Sequence, residues 1–329
     1  MAPLTAIINS STFETIVNSL YNLNIQVKNI FNTKYPIVCA PMYQLSDCNL
    51  AVAVYNSGCF PTFTLPAFEF GFDFKYFNEV QKFIDITGSN NFSIFIDINV
   101  LNLENKKIYN NVFKYKPKFI DVTIGDNILT DDLLQTSNVQ YFLNYCQENE
   151  IKLILKTSSI VKENLKCIDV INIKGSEAAG KYAAKPIREM FLEQKKQTPN
   201  IPICPSGGIA TSEDLDWFLE NGAEAVSIGS AFALTKESKM RIEVKNKILN
   251  SSSENLSKFI DTNKNTFFIN EYSVKDDGSN RTGGLILGLE NRGGHVYMGK
   301  AIDKINSLMS VNELVNNLVL NSKYLQCLI

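Results

Sequence analysis

Residues 201–232, IPICPSGGIATSEDLDWFLENGAEAVSIGSAF, limit the fold more than any other part of this 329-residue chain. Ile201 to Cys204 is an apolar run of the length of a buried strand. Pro205-Ser206-Gly207-Gly208 ends it, and paired glycines let a backbone pass close to a bound group. Thr211 or Ser212 stands where a helix cap belongs, Glu213 and Asp214 fill the first turn, and Leu215, Phe218 and Leu219 share one face. Asn221-Gly222 closes that helix, and Ala225 to Ile228 is a second buried run ending in Gly229-Ser230. Strand, glycine loop, helix, strand, glycine loop is parallel βα architecture. It sets two glycine turns side by side at the carboxyl ends of neighbouring strands. Their backbone N–H groups form a nest that suits a phosphate, and in barrels of eight βα units the phosphate site lies after strands seven and eight. Tight turning alone is the other reason for such glycines; two loops in register favour the phosphate.

The rest of the chain extends the pattern. Strand-like runs fall at Tyr35 to Ala40, Cys59 to Phe63, Phe92 to Ile98, Phe119 to Thr123, Ile151 to Leu155 and Val170 to Ile173, before the two already described. Helical stretches separate them: Ser46 to Ser57, a segment ending near Ile86, and Ile128 to Gln147. Eight such runs alternating with helices predict a (β/α)8 TIM barrel. Residues 1–30 form an N-terminal extension with an amphipathic helix over 11–30, 31–235 the barrel, and 236–329 a C-terminal appendage over the barrel mouth. Within the appendage, 236–262 is expected to be helical, 263–294 polar and glycine-rich, and Val311 to Leu320 a closing helix.

Composition removes several function classes. A net charge of -2 offers no electrostatic footprint for nucleic acid. No apolar run reaches the roughly 20 residues of a membrane span, and the first residues lack the charged and apolar regions of a signal peptide. The 7 cysteines are scattered, with no CxxC pair, which predicts a reduced, cytoplasmic protein. With 1 histidine and no acidic cluster of ligand spacing, no metal site is expected.

Four fragments in order, YPIVCAPM (35–42), LKTSS (155–159), KGSEAAG (174–180) and PSGGIATSEDLDWFLENGAEAVSIGSAF (205–232), resemble the nitronate monooxygenase family, once called 2-nitropropane dioxygenases. These are FMN-dependent barrels, of one superfamily with FMN-dependent enoyl reductases and some NAD(P)H:quinone reductases. The resemblance covers roughly residues 30–233 and returns weakly at 296–318. It implies that Ala40, Pro41 and Met42 lie against the isoalloxazine ring, and that Lys156 stabilises negative charge on it. It implies that Gly175 approaches the cofactor, and that Ser206, Gly207, Gly208, Gly229 and Ser230 hold the phosphate, Ser230 where the family usually has threonine.

Two positions depart from the family. The motif after strand six normally ends in a histidine, the catalytic base or a substrate-binding group; here it is Lys181, expected at the start of the following helix. An exposed lysine is a cation at neutral pH, titrating near ~10.4 against ~6.5 for imidazole. In strand three Phe95 replaces an asparagine. The histidine of the chain, His295, lies in the appendage, which could carry it toward the flavin. Lys181 and His295 are thus the candidate catalytic residues. The favoured reaction is oxidation of a small anionic substrate with oxygen as acceptor, Lys181 holding the anion. The alternatives are an NAD(P)H-dependent enoyl or quinone reductase, and a flavin-binding protein with decayed catalysis serving a partner enzyme.

Overall fold

The computed structural model describes residues 29–64, 75–97, 112–123, 137–161, 167–261, 267–275 and 288–327. Eight parallel strands form one sheet: β1 (Ile37–Cys39), β2 (Thr62–Thr64), β3 (Ser93–Asp97), β4 (Phe119–Thr123), β5 (Lys152–Thr157), β6 (Val170–Lys174), β8 (Ile203–Ser206) and β9 (Val226–Ile228). β1 pairs with β9 at one edge, and a bridge between Val38 and Phe60, just before β2, closes the other. Cys39 donates to the Phe60 carbonyl and Phe60 to the Ile37 carbonyl, each at 2.8 Å. The sheet is therefore a closed (β/α)8 barrel.

Between the strands run α1 (Cys48–Asn56), α2 (Lys75–Thr87), α3 (Ser137–Glu148), α4 (Ile187–Gln197), α5 (Ser212–Glu220) and the short α6 (Ser230–Ala233). α5 starts as its sequence predicts, with Thr211 and Asp214 forming a reciprocal capping box, and Asn221 ends it. All but the last two residues of the N-terminal helix expected over 11–30, and the first part of the helix expected from Ile128, lie outside the described residues; Asn29 and Ile30 are not helical.

Closure fixes which side chains face the axis. Successive strands of such a barrel are offset along one another, so inward residues fall into levels of four drawn from alternate strands. Register places Phe60, Phe119, Val170 and Ala225 at the floor, then Val38, Ser93, Ile154 and Cys204. The third level is Thr62, Asp121, Asn172 and Ser227; the fourth is Ala40, Phe95, Lys156 and Ser206. Seven of the eight residues in the two lower levels join Phe31 in an apolar cluster of their own, separate from the larger core between strands and helices. Phe31 plugs the floor, its ring 5.0 Å from both Phe60 and Phe119.

The C-terminal region departs from its expected secondary structure. Only α7 (Ile242–Leu249) is an α-helix between 236 and 262; Leu256–Asp261 is strand β10, not helix. β10 pairs with β11 (Phe267–Lys275) inside the stretch expected to be polar loop. The β-branched and aromatic residues of FFINEYSVK outweigh its flanking asparagines and glycines. The opposite edge of β11 takes β7 (Gly180–Tyr182), which follows β6, and then β12 (Gly294–Val296). α8 (Val311–Leu320) and α9 (Lys323–Gln326) follow, and Asp216 of α5 accepts from the Ser322 hydroxyl and from Lys323 N–H (2.8 Å).

Phe119→Ala should cost about 3–5 kcal/mol of unfolding free energy, because the floor cannot collapse around the lost ring. A loss under about 1 kcal/mol in denaturant unfolding would show that the floor is not a packed layer.

Candidate active site

Above two apolar levels, the barrel interior turns polar. Thr62, Asp121, Asn172 and Ser227 are each at most 3% exposed. Asp121 Oδ1, Asn172 Oδ1 and Ser227 Oγ have no hydrogen-bond partner among the described residues, nor has Thr64 Oγ1 nearer the rim. Buried polar atoms without partners are costly, so four around one axis mark a chamber shaped for polar company. Thr62 differs, because its hydroxyl accepts from Ser93 at 3.0 Å.

Lys156 enters the chamber one level higher. Its Nζ lies 5.6 Å from the centre of the Phe95 ring, which gives its protonated form a π face. Burial pulls the Lys156 pKa below the usual lysine value, and the negative charge of Asp121 opposes that shift. Burial pushes Asp121 up to about 6, with Lys156 and then Lys174 pulling it back. Neither residue forms a direct ion pair with the other, so both side chains remain available to a further polar group.

At the mouth, β8 and β9 deliver the two glycine turns. Gly208 has a φ of 71°, and a Cβ there would come within 2.8 Å of Glu177 Cβ, so neither conformation nor space admits a side chain. The N–H groups of Gly207, Gly208, Gly229 and Ser230 meet no acceptor among the described residues. Ser230 Oγ accepts from Gly299 N–H at 3.0 Å, which leaves its own O–H to be donated. The arrangement is a set of free donors of the kind that suits an anionic group. Gly175 has a second reason to be glycine: a Cβ would sit 2.4 Å from the backbone of Ile187 at the start of α4. Ser206 contributes its carbonyl to Gly175 N–H at 3.1 Å, tying the loops after β6 and β8 together.

Ala40 is buried and lies 3.6 Å from where a Cβ on Gly229 would be, while Pro41 and Met42 are half-buried on the path out of β1. Ser46 Oγ accepts from Met42 N–H at 2.9 Å, fixing that turn. Lys181 is not at a helix start: it lies in β7, opposite Ile269 of β11. His295 lies in β12, opposite Ser273, 7% exposed, its ring 5.6 Å from that of Tyr297. The two candidate catalytic residues therefore belong to one sheet, on the same edge of β11, separated along it by roughly 13 Å. Asp121, Asn172 and Ser227 were not predicted from sequence; their signal is one polar residue at inward parity flanked on both sides by apolar residues of the strand. Among the described residues no His, Cys, Asp and Glu group could hold a metal, and no helix is long and apolar enough to cross a membrane.

A family model described as nitronate monooxygenase matches residues 81–265. FabK of Thermotoga maritima superposes with a TM-score of 0.70 at 16% identity, over 89% of this chain and 94% of that one. Nitroalkane oxidase of Streptomyces ansochromogenes gives 0.66 at 14% identity, over 90% and 97%. The enoyl reductase domain of MlnA from Bacillus amyloliquefaciens gives 0.66 at 12% identity, over 98% of both. Among curated proteins, dihydroorotate dehydrogenase A (fumarate) of Lactobacillus helveticus is 43% identical over 49 residues, 15% of this chain and 16% of that enzyme. The matched stretch thus spans only a small fraction of that relative.

Asp121 titrates inside the barrel, which gives a signed prediction. Its folded pKa lies above its unfolded value, so its contribution to stability is present below about pH 4 and is lost as pH rises through about 6. Asp121→Asn, in protein freed of bound small molecules, should therefore gain on the wild type by about 1–3 kcal/mol between pH 4 and 7. Parallel stability curves across that window would show that the carboxylate is not desolvated.

Proposed function

The chain belongs to the nitronate monooxygenase family, and from that membership and the donor nest we propose an FMN-dependent oxidoreductase acting on a small anionic substrate, with oxygen as acceptor. The observation that carries the cofactor is the nest. Its N–H groups from Gly207, Gly208, Gly229 and Ser230, with the Ser230 hydroxyl, suit one terminal phosphate. No GxGxxG follows β1 to take a dinucleotide. The chamber below fits the ring end, offering unpartnered oxygens on Asp121, Asn172 and Ser227 and the Lys156 cation. When bound, FMN supplies two-electron chemistry, accepting electrons from one substrate and passing them to another.

Every other task falls to this chain's own groups. Lys156 sets its amine at the level where the chamber opens, and the negative charge of Asp121 one level beneath favours its protonated form against burial. Ala40, Pro41 and Met42 wall the β1 side, and the two apolar levels close the barrel below. Lys181, at the family's histidine position, binds the anion by charge, and an anion such as a nitronate is already deprotonated and needs no base. His295 is placed in the sheet shared with Lys181, as a second polar group of the appendage.

Purified protein should release FMN, not FAD, on heating, and Ser230→Asp should lose it with the fold kept, since the variant sets a carboxylate beside the donors that receive the phosphate. An FAD peak, or stoichiometric FMN in the variant, would refute the cradle. Anaerobic mixing with a nitronate should bleach the flavin. Bleaching by NADH or NADPH alone selects an enoyl or quinone reductase, and none at all selects a flavin-binding protein without catalysis.

Lys181→Met should lower kcat/KM about ten- to a hundredfold, mainly through KM, by removing the charge at similar bulk. Parental kinetics in that variant would remove Lys181 from the site.

A further inference from the structure

The segment after β12 crosses back over the donor nest. Gly299 donates to Ser230 Oγ (3.0 Å), Lys300 N–H to the Glu177 carbonyl (2.9 Å), and Lys304 Nζ to the Gly208 carbonyl (2.8 Å). Residues 299–304 thus touch the loops after β9, β6 and β8 in turn. Lys304 also meets both carboxylate oxygens of Asp214 at 2.7 Å. That carboxylate is itself fixed, with Oδ2 accepting N–H groups of Ala210 and Thr211 at 3.1 and 3.3 Å.

Gly208 is one of three glycines in the nest, and a glycine takes either sign of φ with similar ease unless its neighbours fix it. Its carbonyl is held by a cation, and the cation is held by a carboxylate built into the start of α5. We propose that Lys304, anchored by Asp214, is a positioning residue for the phosphate cradle. It fixes the Gly208 carbonyl and with it the turn whose N–H groups receive the phosphate, while Gly299 sets the Ser230 hydroxyl as a donor. This rests on the FMN reading above, and it deepens that reading by assigning the cradle's geometry to residues far along the chain.

A bare charge effect makes the opposite prediction for one variant. Were Lys304 acting only as a cation near a phosphate, removing the negative charge of Asp214 would tighten FMN binding. Positioning requires that the same change loosen it, because Lys304 loses its anchor.

The test measures dissociation constants of FMN and riboflavin by flavin fluorescence, on protein stripped of flavin, with thermal unfolding of each variant as a check on folding. Lys304 is 39% exposed along its side chain, so the effect belongs at the low end of charged hydrogen bonds. Lys304→Met should weaken FMN about five- to twentyfold while leaving riboflavin, which lacks the phosphate, unchanged. Lys304→Arg should recover most of the loss, and Asp214→Asn should weaken FMN about two- to fivefold. Unchanged FMN binding in Lys304→Met, equal losses for both flavins, or tighter FMN binding in Asp214→Asn would each overturn the proposal. Should Lys304→Met fail to fold, the Asp214→Asn arm decides by its sign alone. Wild-type protein that prefers riboflavin, or binds neither flavin, would refute the FMN reading itself.

Discussion

Closure of the sheet between β1 and the backbone of Phe60 is the constraint from which the site follows. An open sheet would leave register free to slip at its edges; a closed one ties every strand to every other. Once register is fixed, Asp121, Asn172 and Ser227 must share a level with Thr62, and Lys156 must stand one level above them. The polar chamber is thus a property of the whole ring. Its apolar floor is equally necessary, because it keeps bulk water from entering below and screening the charges above.

The mouth is organised differently. Its loops come from strand exits, but they are held by segments remote in sequence: Glu177 by Lys300, Ser230 by Gly299 and Gly208 by Lys304. Rigid strands aim the loops, and the returning segment sets their fine conformation. A site on loops gains precision when its neighbours over-determine it.

Much of this was legible in the residues. Phe119–Thr123 has the same bounds in sequence and structure, and the Thr211 cap and the Val311–Leu320 helix appear where local signals place them. Local turn signals located the glycine turns, and the resemblance pointed to the lysine of β5. The third level was hidden because its residues are single polar interruptions in strands such as FIDVT and VINIK, which hydropathy reads as noise. Only register shows that the interruptions meet. The strand β10 was hidden by LSKFID, whose charges suit an exposed helix as well as an edge strand. Lys181 was misplaced for a related reason: a three-residue strand has no periodicity of its own, and its partner lies in β11.

That pairing of β7 with β11 joins positions about ninety residues apart, across two further strands of the barrel. The strand carrying Lys181 therefore has no sheet to join until synthesis has passed residue 275 and the barrel has brought β7 to its rim. Contacts of such long range carry a large loop-closure cost and form late. Barrel closure pairs Ile37 with Val226 across a longer span still, but it needs the chain only as far as Ile228, so in order of synthesis the ring is complete before the sheet at its mouth. The strands beside Lys181 and His295 are the last of the sheet residues to be made.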